Sequence, residues 1–224
     1  MSALEGAILR TLREAGIEKP PVEIDRVLRF LDLDDICWTS DQQVKEVALI
    51  HSENKGKHRI LAPTDYPAER LPFTLAHECV EYIAMREGLK PEHWKINQSA
   101  AELLLPTAWV RQCISDEGFD LFALQRRFST ASLETCAIKL LGLAPSPCIL
   151  TVADRKGMRR RSYTRKGLER PISDVEEEAL TEAFSGIDIV ERVGGGLRCR
   201  AFPVPDKRRG GIAKVFLFAL LLEP

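Results

Sequence analysis

The chain has 224 residues, 45% of them hydrophobic, and a net charge of −1. That length suits two small domains, or one domain with an appendage, and the near-neutral charge excludes a global field that recruits nucleic acid or a membrane surface. The chain start does not read as a signal peptide, and no apolar run reaches the roughly 18 residues of a membrane span; the closing run from Val215 is too short.

Six cysteines, Cys37, Cys79, Cys113, Cys136, Cys148 and Cys199, are scattered without C-x-x-C spacing. They read as reduced, buried thiols of a cytoplasmic protein. From the start, Leu4, Ile8, Leu9, Leu12 and Ile17 mark the apolar stripe of a helix over 3–17, broken at Gly16. A second helix, Glu23 to Leu31, follows Pro20 and Pro21. Three strands are expected at Ile36–Thr39, Val44–Ile50 and His58–Ala62, the last two joined by the Asn54–Lys57 turn. His51 and His58 flank that turn and read as exposed histidines, not ligands.

The central stretch, Arg70 to Pro106, carries the chemistry. Phe73, Leu75, Ala76, Val80, Ile83 and Ala84 recur at helical spacing, with Pro72 at the helix start and Thr74 as a candidate cap. On that helix His77-Glu78-Cys79-Val80-Glu81 approaches the metal-site pattern H-E-x-x-H, with Glu81 in place of the second His. Positions i and i+4 share a helix face, and a carboxylate oxygen binds zinc at nearly the distance of an imidazole nitrogen. Without other signals, the same five residues also describe a helix with solvated or salt-bridged polar groups. At about 100° per residue, Cys79, two residues on, faces away from His77 and is not a ligand candidate. A second apolar helix is expected from about Asn97 to Leu105, closed by Pro106; packed on the first, it brings Glu92 or His93 back towards His77 and Glu81.

The blocks LPFTLAHECVEY, Leu71–Tyr82, and HWKINQSAAELLLP, His93–Pro106, resemble the ImmA/IrrE-type metallopeptidases. Their hallmark is R-F-T-L-A-H-E-x-G-H followed by E-x-x-A-[ND]-x-F-A-A-E-L-L-M-P. The resemblance covers roughly residues 1–145. It implies a zincin-like α+β core in which a small sheet backs the motif helix. It places His93 where the family has a Glu ligand and Asn97 on the [ND] position. The family's two His and one Glu would here be His77, Glu81 and His93, the same ligand types with two positions exchanged. Zinc, or another divalent ion, is the implied cofactor, with Glu78 as general base. Glu92 is an alternative third ligand. The opposing reading is a decayed site without metal, in which Glu81 pairs with Lys95 or His93. Tyr82 turns away from His77 on an ideal helix, which argues against a role in stabilising an oxyanion.

Beyond Pro106, helices are expected at Trp109–Ser115, Leu121–Phe128 and Leu133–Leu141, the last two arranged like a helix-turn-helix around Ser129–Ser132. The second of these offers Ser132, Glu134, Thr135 and Lys139, a poor set for reading base edges, so a packed helical hairpin is favoured over DNA contact. Pro145 and Pro147 mark a boundary. After it come strands at Cys148–Ala153, Met158–Thr164, Ile187–Val193, Leu197–Phe202 and Ile212–Leu222, and a helix at Val175–Phe184. Gly194-Gly195-Gly196 reads as a hairpin turn. Two basic clusters, Arg155 to Lys166 and Lys207 to Arg209, read as solvated surface neutralised by neighbours such as Glu176–Glu178.

The expected organisation is therefore α+β: a zincin-like helix–small sheet–helix core over 1–112, a helix-turn-helix-like segment over 113–144, and a small α+β module over 148–224. The resemblance implies site-limited proteolysis of a cytoplasmic regulatory protein, typically a helix-turn-helix repressor, in bacterial stress or mobile-element control. The alternative is an inactive pseudo-peptidase that binds protein or DNA as a regulatory module. DNA is the less favoured partner, and no membrane partner is expected.

Overall fold

The computed structural model describes residues 2–41, 44–52, 57–157, 159–206 and 210–222. The expected Asn54–Lys57 turn and the Lys207–Arg209 cluster lie wholly or mostly outside them. The architecture is α+β, with two separate sheets, and its contacts divide it into two compact units. Unit 1 comprises 1–118 and 123–136, unit 2 comprises 119–122 and 137–224. The segment expected as helix-turn-helix-like thus contributes residues to both.

In unit 1, α1 (Ala3–Glu14) starts on a capping box, Ser2 Oγ accepting the Glu5 N–H and Glu5 accepting the Ser2 N–H. Leu4, Ala7, Ile8 and Leu12 are buried, whereas Leu9, about 100° round the helix from Ile8, is exposed. Helix α2 (Ile24–Phe30) follows. Strands β1 (Ile36–Thr39), β2 (Ala48–Ser52) and β3 (Lys57–Pro63) form a sheet in the order β1-β3-β2, with β1 parallel and β2 antiparallel to β3. The β2 strand starts four residues later than the alternation predicts, and among the described residues no strand pairs with its outer edge.

Helix α3 (Leu71–Arg86) carries the central motif and buries Leu75, Ala76, Cys79, Val80, Ile83 and Ala84. Thr74 lies inside it, donating to the Arg70 carbonyl and meeting Tyr66, so it is not the cap. Gly88 adopts φ +67°, open to glycine without steric cost, and the Leu89 N–H closes back on Ala84. Helix α4 (His93–Leu104) begins a full turn earlier than expected because Glu92 is extended and serves as N-cap. Ile96, Ser99, Ala100, Leu103 and Leu104 form its buried face, packed on α3 and α1. Then come α5 (Thr107–Glu117), α6 (Leu121–Arg127) and α7 (Leu133–Gly142).

Unit 2 is built on an antiparallel sheet of β4 (Cys148–Asp154), β5 (Arg159–Tyr163), β6 (Val190–Gly194), β7 (Leu197–Pro205) and β8 (Ile212–Leu221), ordered β5-β4-β8-β7-β6. Alternation decides its faces. Ile149, Ala153, Cys199, Ala201, Val215, Leu217 and Ala219 join Ala179, Leu180 and Ala183 of α8 (Asp174–Ser185) in one core. On the other face, Phe202 and Phe218 meet Phe122 and Phe119 edge-on, at 5.3 and 5.2 Å between ring centroids. The β6–β7 hairpin turns through Gly195 and Gly196, both with positive φ, as a two-residue primed turn demands. The β6 strand starts at Val190, and Ile187, expected as its first residue, is exposed.

Candidate functional site

Helices α3 and α4 bring His77, Glu81, His93 and Asn97 together. His77 is 13% exposed and its two ring nitrogens are both engaged: Nδ1 lies 2.9 Å from Asn97 Oδ1, and Nε2 lies 3.2 Å from Glu81 Oε1. The i,i+4 spacing on α3 produces the second contact, and the early start of α4 produces the next one. His93 and Asn97 are themselves one turn apart, with Asn97 Nδ2 and His93 Nδ1 at 3.5 Å. The His77 and His93 rings tilt against each other at 5.1 Å between centroids. Asn97 therefore bridges the two histidines.

Glu78, next to His77 on α3, turns towards β2 and stays within reach of the Glu81 charge. It is buried, and its Oε2 accepts the Leu49 N–H of β2 at 2.7 Å. That N–H lies on the edge of β2 that no strand among the described residues pairs with, so α3 supplies what a neighbouring strand would otherwise supply. Burial first, and the nearby Glu81 charge second, push the Glu78 carboxyl up to about 7, against the opposing pull of the Leu49 N–H. Glu78 thus exchanges a proton near neutrality, as a general acid–base must.

A groove of about 480 Å³ opens beside these residues, with Glu81 and His93 on one side and Leu49, Ala84, Met85 and Ile96 giving an apolar lining. The remaining sequence candidates lie apart. Glu92, the alternative third ligand, is engaged by Trp94 Nε1 at 2.7 Å and by Lys95 at 3.6 Å, and that pairing takes up Lys95. Tyr82 packs on His58 and under Arg86, away from His77. His58 is consequently a half-buried strand residue and not an exposed turn histidine. Cys79 is fully buried, which drives its thiol far above the usual range.

A divalent ion needs lone pairs that converge on one point. If Nδ1 of neutral His77 carries the proton given to Asn97 Oδ1, Nε2 presents a lone pair to the Glu81 carboxylate. Two electron-rich atoms at that separation need a positive charge between them, either a proton or a cation. Two zinc ligands at tetrahedral angles stand about 3.3 Å apart, close to the spacing here. The backing of His77 by Asn97 is what an ordered imidazole ligand uses. The pair fits a metal; the third position is not closed. Asn97 Nδ2 occupies His93 Nδ1, and among the described residues no three His, Cys, Asp or Glu side chains converge as a metal group.

Two features escaped sequence reading. The Leu49 N–H is a backbone donor, visible only once β2 is placed. Glu102, in the A-E-L-L-L-P run, accepts both the Thr107 N–H (2.8 Å) and its hydroxyl (2.7 Å), capping α5 across Pro106. In the helix-turn-helix-like segment, Ser132 caps α7 by accepting the Thr135 N–H, and Arg127 pairs with Asp116. These polar groups are engaged within the protein. Several cations of unit 2 are likewise matched: Arg155 with Asp206 and backbone carbonyls, Arg159 with Glu177, and Arg161 with Glu176.

No protein-family model matches the chain, and no curated protein does. A solved structure described as a Mycobacterium tuberculosis transcriptional regulator is similar over 99% of this chain and 89% of that one, with TM-score 0.63 and 15% identity. At that identity the likeness concerns the fold. Among the described residues no helix is long and apolar enough to cross a membrane.

Proposed function

We propose that unit 1 is a zincin-type regulatory peptidase that makes a limited cut in a protein controlling transcription. The observation that carries this reading is the juxtaposition of the Asn97-backed His77–Glu81 pair with a buried Glu78 whose carboxyl is pushed up to about 7. Zinc or a similar ion, held by His77 and Glu81 with His93 alongside, would supply Lewis-acid polarisation of the scissile carbonyl and of water. Glu78, anchored through Oε2 on Leu49, keeps Oε1 to take the proton from attacking water and return it to the leaving amine. Asn97 fixes the His77 ring, and the apolar groove seats a side chain of the substrate. The repressor-type partner follows from the ImmA/IrrE resemblance, and the solved transcriptional regulator of similar fold supports that setting.

A second reading, a non-catalytic module that binds a regulatory protein, is favoured by the unclosed third donor position. Equilibrium dialysis of untagged protein against zinc, followed by metal analysis, separates the two. The peptidase reading expects about one zinc per chain, lost in His77→Ala and kept in Glu78→Gln. It also expects cleavage of a co-expressed repressor to fall by about a hundredfold or more in Glu78→Gln. Wild-type protein that takes up no zinc supports the binding module, and undiminished cleavage by Glu78→Gln sinks the role given to that residue.

A further inference from the structure

The two most exposed large hydrophobic side chains among the described residues, Ile187 (72%) and Val193 (64%), lie along one edge of the unit 2 sheet. Edge strands normally carry charge or a covering segment, because their free N–H and C=O groups invite pairing with another chain. Strand β5, the opposite edge, follows that rule. Arg159, Arg160 and Arg161 stand there in a row, and self-pairing centred on them opposes arginine to arginine. Strand β6 carries no such guard.

The hairpin decides which groups β6 offers. A two-residue turn is flanked by a hydrogen-bonded pair, here Gly194 and Leu197, and bonded pairs then alternate along the ladder. Gly194, Arg192 and Val190 therefore bond to β7, which leaves the N–H and C=O groups of Val193, Glu191 and Ile189 on the outer edge. Gly196 has the matching phase: its carbonyl turns to the far side of β7 and accepts the Leu222 N–H at 2.9 Å. Pro203 would be the next β7 residue to bond β6 but has no N–H, so pairing stops at Val190 and residues 187–189 lie beyond it. Among the described residues no strand, loop or helix backbone bonds to the outer edge. The Glu191 carbonyl accepts only the neighbouring Arg192 Nη1, at 3.1 Å, and keeps a second lone pair.

A second copy related by a two-fold axis normal to the sheet would meet this edge antiparallel, with residues of the same face opposed. A register centred on Arg192 opposes that cation to its copy, and one centred on Glu191 opposes two carboxylates. The register centred on Val190 is complementary instead. It opposes Asp188 to Arg192 and Ile187 to Val193, each twice, and joins Ile189 to Glu191 through their free backbone groups. Arg192 already meets Glu182, and its guanidinium has donors left for a second carboxylate.

We propose that the β6 edge is an interface between two copies of this chain, paired antiparallel about Val190 so that two five-stranded sheets become one. Ile187 and Asp188, a bend in the single chain, straighten on pairing. The contact is a strand edge with a few side-chain pairs, at the low end of specific interfaces, so its Kd is on the order of tens of micromolar. It lies wholly in unit 2 and stands independently of the peptidase reading.

Sedimentation equilibrium of the full chain from about 5 to 500 μM brackets that Kd, and the weight-average mass should climb from 25.2 kDa towards twice that value. Val193→Lys places a cation on the edge and should weaken association by about tenfold or more. Asp188→Arg and Arg192→Asp should each stay monomeric alone, because each opposes like charges across the two-fold axis. Mixed together they should associate, since both cross-strand ion pairs are then restored. All three positions are exposed, so circular dichroism should show each variant folded like the wild type. A mass of 25.2 kDa at every concentration overturns the proposal. So does a dimer indifferent to Val193→Lys, or a mixture of the two charge variants that remains monomeric.

Discussion

Replacing Glu78 with Gln in chelator-treated protein should change stability in a strongly pH-dependent way. The folded state holds the Glu78 carboxyl at about 7, against 4.5 in the absence of the fold. Between those values the folded chain keeps a proton that the unfolded chain releases. The stabilising contribution of the protonated group is therefore complete below pH 4.5, declines as pH rises, and is gone above about 7. At about 1.4 kcal/mol per pH unit, the wild type forfeits roughly 3 kcal/mol across that window. Gln still accepts the Leu49 N–H through its amide oxygen but carries no charge at any pH. Glu78→Gln should thus match the wild type near pH 4.5 and exceed it by roughly 3 kcal/mol at pH 8. Urea unfolding at several pH values, followed by tryptophan fluorescence, measures this. Trp38, Trp94 and Trp109 all lie in unit 1, so the signal reads the unit that contains Glu78. An equal stability difference at pH 4.5 and pH 8 would refute the desolvation argument.

Two further outcomes are expected. Glu102→Ala should cost about 1–2 kcal/mol by uncapping α5, read in the same tryptophan transition, whereas Glu102→Gln should recover part of it through the Thr107 contacts. Phe218→Ala should destabilise unit 2 by about 3–5 kcal/mol, because a fully buried ring that meets Phe119 and Phe202 leaves a cavity. Amide exchange of β8 would accelerate accordingly, while the β2–β3 amides would keep their protection.

Much of this arrangement was legible in the residues. Every element with strong apolar periodicity was found, and the residues singled out on the two central helices, His77, Glu81, His93 and Asn97, do meet. What could not be read was where backbone groups go. Helix spacing places Glu78 about 100° from His77, but only the register of β2 shows that its carboxylate is held by Leu49. The start of α4 is not legible because Glu92 has no conventional capping side-chain bond, yet that start brings His93 onto the same face as Asn97. In unit 2 the basic residues read as a surface cluster; alternation alone could not say that Arg161 turns inward to a fully buried acid.

The order of strands in the second sheet bears on how the polypeptide is made. Strands β4 and β5 can pair as soon as both have left the ribosome, and so can β6 and β7. Their hairpins remain two separate pieces, since β8, synthesised after all of them, occupies the middle of the sheet between β4 and β7. Nascent chains stalled before Ile212 should therefore display two unjoined hairpins with Phe202 lacking its Phe216 and Phe218 neighbours, a state attractive to chaperones. Release of residues 212–221 inserts Phe216 and Phe218 and joins the halves in one step.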